Sequence, residues 1–94
     1  RDSAYLVNLI ATEGVTVLHF VPSMLRVFVE ERGLESCTSL RRVVCSGEAL
    51  PYELTERFFT RIPWAKLANL YGPTEATITA TSAKTVTSFQ TPTS

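Results

Sequence analysis

The sequence predicts an α/β fold with a largely parallel sheet. Short apolar runs rich in β-branched residues, typical of strands buried on both faces, alternate with segments whose apolar residues recur at helical spacing. The connections between these segments are short, and such an alternation folds as right-handed β-α-β units. The chain has 94 residues, of which 45% are hydrophobic, so its size and composition are those of one compact unit.

The first two elements are a helix and a buried strand. A helix is predicted over residues 4–13, with Ser3 as its cap and Gly14 as its stop. Its apolar positions lie at helical spacing: Leu6, Leu9 and Ile10. The strand is predicted over residues 15–20, where only His19 interrupts the apolar run.

A second helix follows that strand. Pro22 and Ser23 start it, and we expect it to continue through residue 32, where Gly33 ends it. Its buried face carries Leu25, Phe28 and Val29. We expect a loop over residues 34–40.

The remaining elements repeat the alternation. A strand over residues 42–46 stops at Gly47, and Pro51 fits the first turn of a third helix that Ile62-Pro63 breaks. Three residues are expected to point inward from this helix: Leu54, Phe58 and Phe59. Residues 65–70 form a third strand, and residues 76–81 suit another strand. The tail, residues 83–94, is expected to be loop or a strand without a partner.

Composition excludes several classes of partner. Nine acidic and nine basic residues balance, so nothing attracts nucleic acid or an anionic membrane surface. No apolar run is long enough to span a bilayer, and the N-terminus lacks the layout of a signal peptide. A cytoplasmic location is therefore expected. Since the chain starts without Met, we expect a piece of a longer protein.

The two cysteines do not indicate a metal site. Cys37 and Cys45 have no Cys-x-x-Cys spacing, and the chain has one histidine. We expect two reduced, unreactive thiols.

The stretch Leu70-Tyr71-Gly72-Pro73-Thr74-Glu75 places polar groups at the carboxyl end of the third strand. Ligands bind at that edge of open α/β sheets. Tyr71 offers a flat face, Thr74 a hydroxyl and Glu75 a carboxylate that suits Mg²⁺. Residue types alone leave ordinary turn chemistry as an open alternative.

The string Asn-Leu-Tyr-Gly-Pro-Thr-Glu at residues 69–75 resembles the signature of adenylate-forming enzymes, and most closely that of the adenylation domains of non-ribosomal peptide synthetases. Gly-Glu-Ala-Leu-Pro at residues 47–51 is similar to a second segment of the family. The resemblance implies that residues 1–94 are a partial adenylation (AMP-binding) domain, part of the large N-terminal subdomain, without the phosphate loop and the C-terminal subdomain.

The resemblance also implies roles for individual residues. The implied ATP-binding residues are Gly47, Glu48, Ala49, Asn69, Tyr71, Gly72 and Thr74. Tyr71 would stack on adenine, Thr74 would contact the α-phosphate region and Glu75 would hold Mg²⁺, which makes Thr74 and Glu75 the implied catalytic residues. The implied substrate pocket comprises His19, Val44, Ser46, Leu70, Ile78 and Thr79.

This pocket is similar to family pockets that select serine, although Thr79 stands where aspartate is usual. His19 and Ser46 could hydrogen-bond a short hydroxylated side chain. Taken alone, a histidine near the end of a buried strand is more often a satisfied core residue.

The implied reaction joins an amino-acid carboxylate to the α-phosphate of ATP, and the thiol of phosphopantetheine on a peptidyl carrier protein domain then takes the aminoacyl group. A condensation domain of the parent synthetase is a further implied partner. The 94 residues alone are expected to be inactive. Two alternatives stay open: an acyl- or aryl-CoA ligase of the same superfamily, and a non-catalytic α/β interaction module.

Overall fold

The computed structural model describes residues 3–70 and 85–86, and it contains a parallel sheet with the strand order β3-β2-β1-β4. The helices and strands run α1 Ser3–Glu13, β1 Val17–Phe20, α2 Pro22–Phe28, β2 Arg42–Cys45, α3 Tyr52–Arg61, β3 Lys66–Asn69 and β4 Thr85–Val86. A single 3₁₀ turn, Leu34–Ser36, lies between α2 and β2. The predicted α/β fold with a parallel sheet is confirmed.

The hydrophobic core lies against one face of the sheet. Because β1, β2 and β3 are neighbours in chain order, right-handed connections place α2 and α3 on the same face. Alternate strand residues point to this face and belong to the core together with residues of all three helices. These strand residues are Leu18, Phe20, Val43 and Cys45. The strand residues between them, including His19 and Val44, point to the opposite face. Within residues 3–70, none of the three helices packs there, and we call it the helix-free face.

The two ends of α1 differ in how well the sequence predicts them. Gly14 ends the helix as predicted: its φ is +68°, and its N–H donates to the carbonyl of Ile10 at 3.0 Å. Ser3, however, belongs to the helix itself, and its hydroxyl donates to the Glu31 carboxylate at 3.0 Å. The prediction that Ser3 caps α1 is therefore wrong, because a cap residue lies just outside its helix, whereas Ser3 is part of α1.

Helix α2 is shorter than predicted, ending at Phe28 rather than at residue 32. The amides of Glu30 and Glu31 bond to carbonyls three residues back, so the chain tightens after the helix. The Arg61 guanidinium from α3 then donates to the carbonyls of Val29 and Glu31. These bonds supply donors to carbonyls just after the helix, which have no donor within the helix itself.

Helix α3 follows the prediction except at one side chain. Pro51 precedes its first residue, and Leu54 and Phe58 are fully buried one turn apart. Phe59 was predicted to point inward, but 43% of it is exposed, and its ring meets Phe58 edge-on with centroids 5.0 Å apart. Helical geometry explains this, because consecutive residues project about 100° apart.

The tail contains a short strand that has a partner, which the sequence did not predict. Thr85–Val86 pairs in parallel with β1, with Thr85 opposite Val17. The prediction of loop, or of a strand without a partner, is wrong at these two residues, because a two-residue pairing leaves too short a pattern in the sequence. The strand predicted over residues 76–81 lies outside the described residues. Within the described part of the chain, no helix is long and apolar enough to cross a bilayer.

Candidate functional site

The carboxyl ends of β1, β2 and β3 form one edge of the sheet. Hydrogen bonds continue the strand pairing beyond each strand: the Ser46 amide donates to the Phe20 carbonyl at 3.1 Å, and the Leu70 amide donates to the Cys45 carbonyl at 2.8 Å. Residues that follow the strands are thus held in register. The strands therefore hold the first residues of these loops in fixed positions.

On the helix-free face, the strand register brings predicted pocket residues together. His19 is paired with Val44, and Val44 with Ala68. Ser46 and Leu70 come two residues later on their strands and share that face by alternation. Four of the six predicted substrate residues therefore lie at one place: His19, Val44, Ser46 and Leu70. The other two, Ile78 and Thr79, lie outside the described residues.

Ala68 belongs to the same row but was missed by sequence reasoning. It is half-buried and paired with Val44 across β2 and β3. Stepping two residues back from Leu70 along a strand would have found it, because alternate residues share a face.

A short hydrogen bond joins His19 to Ser46. The His19 Nε2 and the Ser46 Oγ are 2.7 Å apart, and both residues are half-buried. If the hydroxyl donates to Nε2, its oxygen can still accept from a ligand; if Nε2–H donates, the hydroxyl proton can be donated onward. In either tautomer, the Ser46 hydroxyl can make one further hydrogen bond to a ligand hydroxyl.

The loop after β2 begins with a sharp turn at Gly47. Its φ is +87°, and a Cβ at this position would come within 3.3 Å of the Val21 Cγ1. Gly47, Glu48 and Ala49 are exposed at the sheet edge, as is Asn69 at the end of the adjacent β3. These are the described members of the predicted ATP set. Its other members, and the implied Mg²⁺ ligand, lie outside the described residues: Tyr71, Gly72, Thr74 and Glu75.

Glu48 makes contacts that the sequence did not reveal. Its carboxylate accepts a hydrogen bond from the Ser23 amide at 3.0 Å and another from the Ser23 hydroxyl at 3.3 Å. The carboxylate therefore lies at the first turn of α2. The sequence held one signal for this contact, since Ser23 follows β1 and Glu48 follows the neighbouring strand β2 at the same edge.

Strand alternation separates the two predicted binding areas. Ser46 shares the helix-free face with His19, whereas Asn69 is paired with Cys45, which points toward the helices. Ser46 and Asn69 thus lie at one edge of the sheet but belong to opposite faces.

Both thiols are buried and free. Burial raises the pKa of Cys37 to about 11 and that of Cys45 to about 12, and the carboxylates of Glu35 and Glu48, respectively, add to these shifts. The prediction of reduced, unreactive thiols fits these values. Within residues 3–70 and 85–86, no three metal-ligating side chains come together.

Comparisons with known proteins place the chain in a family. The model of the AMP-binding enzyme family matches residues 1–94. Phosphinothricin tripeptide synthetase PhsB of Streptomyces viridochromogenes is 54% identical over 81 residues, which are 86% of this chain and 7% of that protein. Tyrocidine synthase 3 of Brevibacillus parabrevis is 51% identical over 81 residues, again 86% of this chain but 1% of its own length.

A solved structure of the non-ribosomal peptide synthetase FmoA3 has the same fold. It superimposes with a TM-score of 0.66 and 28% identity, over 77% of this chain and 8% of FmoA3. FmoA3 has also been solved bound to AMPPNP and bound to α-methyl-L-serine-AMP. The chain thus spans less than a tenth of the length of each of these three proteins.

Proposed function

This chain belongs to the AMP-binding enzyme family, and we propose that its parent protein activates an amino acid with ATP for non-ribosomal peptide synthesis. The observation that carries the proposal is the identity of 54% and 51% to two peptide synthetases over 86% of the chain. The parent would form an aminoacyl adenylate and release pyrophosphate. Residues 1–94 would be part of its adenylation domain and, by themselves, inactive.

The nucleotide would bind at the carboxyl edge of β2 and β3. The exposed segment Gly47–Ala49 and Asn69 are open to a base there, and the AMPPNP complex of FmoA3 supports a nucleotide site in this fold. By the motif match, Tyr71 would stack on adenine and Gly72 would adjoin it. Thr74 and Glu75 would act at the phosphates, with Glu75 holding Mg²⁺. Mg²⁺ would neutralise charge that develops on the phosphates.

The amino acid would bind on the helix-free face beside His19 and Ser46. Val44, Ala68 and Leu70 provide apolar walls on that face, and Ile78 and Thr79 would complete the pocket. We propose serine as the substrate, because the His19–Ser46 pair keeps one position for a hydroxyl. The α-methyl-L-serine-AMP complex of FmoA3 supports this choice.

In the reaction, a carboxylate oxygen of the amino acid bonds to the α-phosphorus of ATP, and the bond from that phosphorus to the bridging oxygen breaks. The phosphopantetheine thiol of a carrier domain then takes the aminoacyl group and releases AMP. The chain's own residues position the two reactants at one edge, which lowers the entropic part of the barrier. A condensation domain would use the product. We place the parent in the cytoplasm, where thiols such as Cys37 and Cys45 stay reduced.

The test is amino-acid-dependent exchange of labelled pyrophosphate into ATP by the complete parent domain, with serine, threonine, alanine and cysteine as substrates. We expect exchange with serine and little with alanine, because alanine has no hydroxyl to bond to the half-buried His19–Ser46 pair. Comparable exchange with both would reject the serine assignment. No exchange with any amino acid would favour a CoA ligase, and no dependence on ATP would favour an interaction module.

A further inference from the structure

The loop after β2 contacts the end of β1 and the turn that follows it through three successive residues. The Ser46 amide bonds to the Phe20 carbonyl, Gly47 lies against Val21, and Glu48 bonds to the residue after Pro22. Along the loop after β2, each contact is one residue further from the end of the strand. The two loops therefore form one unit at the carboxyl edge of the sheet.

The last of these contacts caps α2 from outside the helix. Val21 precedes the helix and makes no side-chain cap, and Pro22 has no N–H to satisfy. The Ser23 amide is the next donor of the first turn, and the Glu48 carboxylate accepts from it. The negative charge is also favourable beside the positive end of the helix dipole.

We propose that Glu48 is a positioning residue for the nucleotide: by capping α2 through Ser23, it sets the place of the exposed segment Gly47–Ala49. This inference rests on the proposed function, in which that segment lies along adenine. The Glu48 carboxylate faces Ser23, and the proposal gives it no direct contact with ATP. Because Ser46 precedes this segment and bonds to His19, the same unit joins the nucleotide segment to the proposed amino-acid pocket.

A carboxylate at position 23 distinguishes a positioning role of Glu48 from an effect on the stability of α2 alone. Ser23→Asp places an acid in the first turn of α2, where it is favourable for the helix, yet it repels the Glu48 carboxylate. The loop should move while the helix remains. Glu48→Gln removes the repulsion and still offers one acceptor to the amide of residue 23.

The experiment measures the Kd for ATP by calorimetry and the KM for ATP in pyrophosphate exchange, in the complete parent domain. Glu48→Gln alone and Ser23→Asp alone should each raise both constants about threefold to tenfold, with kcat little changed. In the Ser23→Asp background, Glu48→Gln should lower both constants. Ser23→Ala, which removes only the 3.3 Å bond, is the milder variant and should raise them least.

Three results would overturn the proposal. An equal effect of Glu48→Gln in both backgrounds would mean that Glu48 contacts ATP directly, and a lower melting temperature with unchanged Kd would mean that the cap is structural only. A parent domain that binds ATP and shows the reversal, but exchanges no amino acid, would support the positioning role while removing the proposed function. A parent that does not bind ATP would overturn both.

Discussion

At the residue scale, two glycines with the same left-handed backbone conformation differ in the side chains that surround them. Gly14 has a φ of +68° and nothing within 4 Å of the position where a Cβ would lie. Gly47 has a φ of +87°, and there the Val21 side chain would be 3.3 Å away. Both positions favour glycine for conformational reasons. Only Gly47 is also constrained by a close approach between two loops.

Alanine substitution should separate these two effects. Gly14→Ala is expected to lower the free energy of unfolding by about 1–2 kcal/mol, the cost of a left-handed backbone. Gly47→Ala should cost more, because Val21 must also shift, and it should weaken ATP binding as well. Urea unfolding and ATP titration of the parent domain measure the two effects. Equal losses of stability with unchanged ATP affinity would contradict the assigned contact.

The buried thiols predict a stability loss at alkaline pH. Cys45 has a pKa of about 12, against an ordinary value of 9.0. The unfolded chain releases this proton first, so the stabilising effect is complete below pH 9 and is lost as the pH rises toward 12. The slope is at most about 1.4 kcal/mol per pH unit for each thiol. Urea midpoints between pH 8 and 10.5 measure it, and Cys45→Ala should reduce the slope. A slope that Cys45→Ala leaves unchanged would contradict the raised pKa.

At the element scale, the contacts between the α2 region and α3 differ greatly in how much they contribute to stability. Arg26 pairs with Glu53 at 3.0 Å, and Arg57 pairs with Glu30, all with side chains about half exposed. Arg61 instead donates to backbone carbonyls at the end of α2 from a partly buried position. Exposed ion pairs contribute little, whereas carbonyls left without donors are unfavourable.

Arg61→Ala is therefore expected to lower the free energy of unfolding by about 1–3 kcal/mol. Arg26→Ala is the matched control on the same pair of helices and should change it by less than about 1 kcal/mol. Thermal or urea unfolding of the parent domain measures both variants. If the two losses were the same, the capping role of Arg61 would be wrong.

These contacts also explain which element ends the sequence could predict. Gly14 and Pro51 mark their helix ends locally, so the end of α1 and the start of α3 were predicted well. The end of α2 depends on Arg61, which is some thirty residues away in the chain. A pattern read along one segment does not contain that information. The contact between the Ser3 hydroxyl and the Glu31 carboxylate likewise joins residues far apart in the chain and could not be predicted from one segment.

At the scale of the whole molecule, parallel pairing assembles the candidate site. The predicted carboxyl ends of β1, β2 and β3 lie within one residue of the observed ends, and the strand register brings His19, Val44, Ser46 and Leu70 to one face. The roles of those residues came from the resemblance to a family, because residue types at a strand end do not identify a ligand. Side-chain contacts between loops, such as that of Glu48, needed coordinates.

We propose that side chains on the helix-free face select the amino acid. The most direct test is the ratio of kcat/KM for serine to that for alanine in pyrophosphate exchange, for the parent domain and its Ser46→Ala variant. We expect a strong preference for serine that the variant reduces about tenfold or more, because one partner of the hydroxyl is lost. A ratio that Ser46→Ala leaves unchanged would contradict the claim.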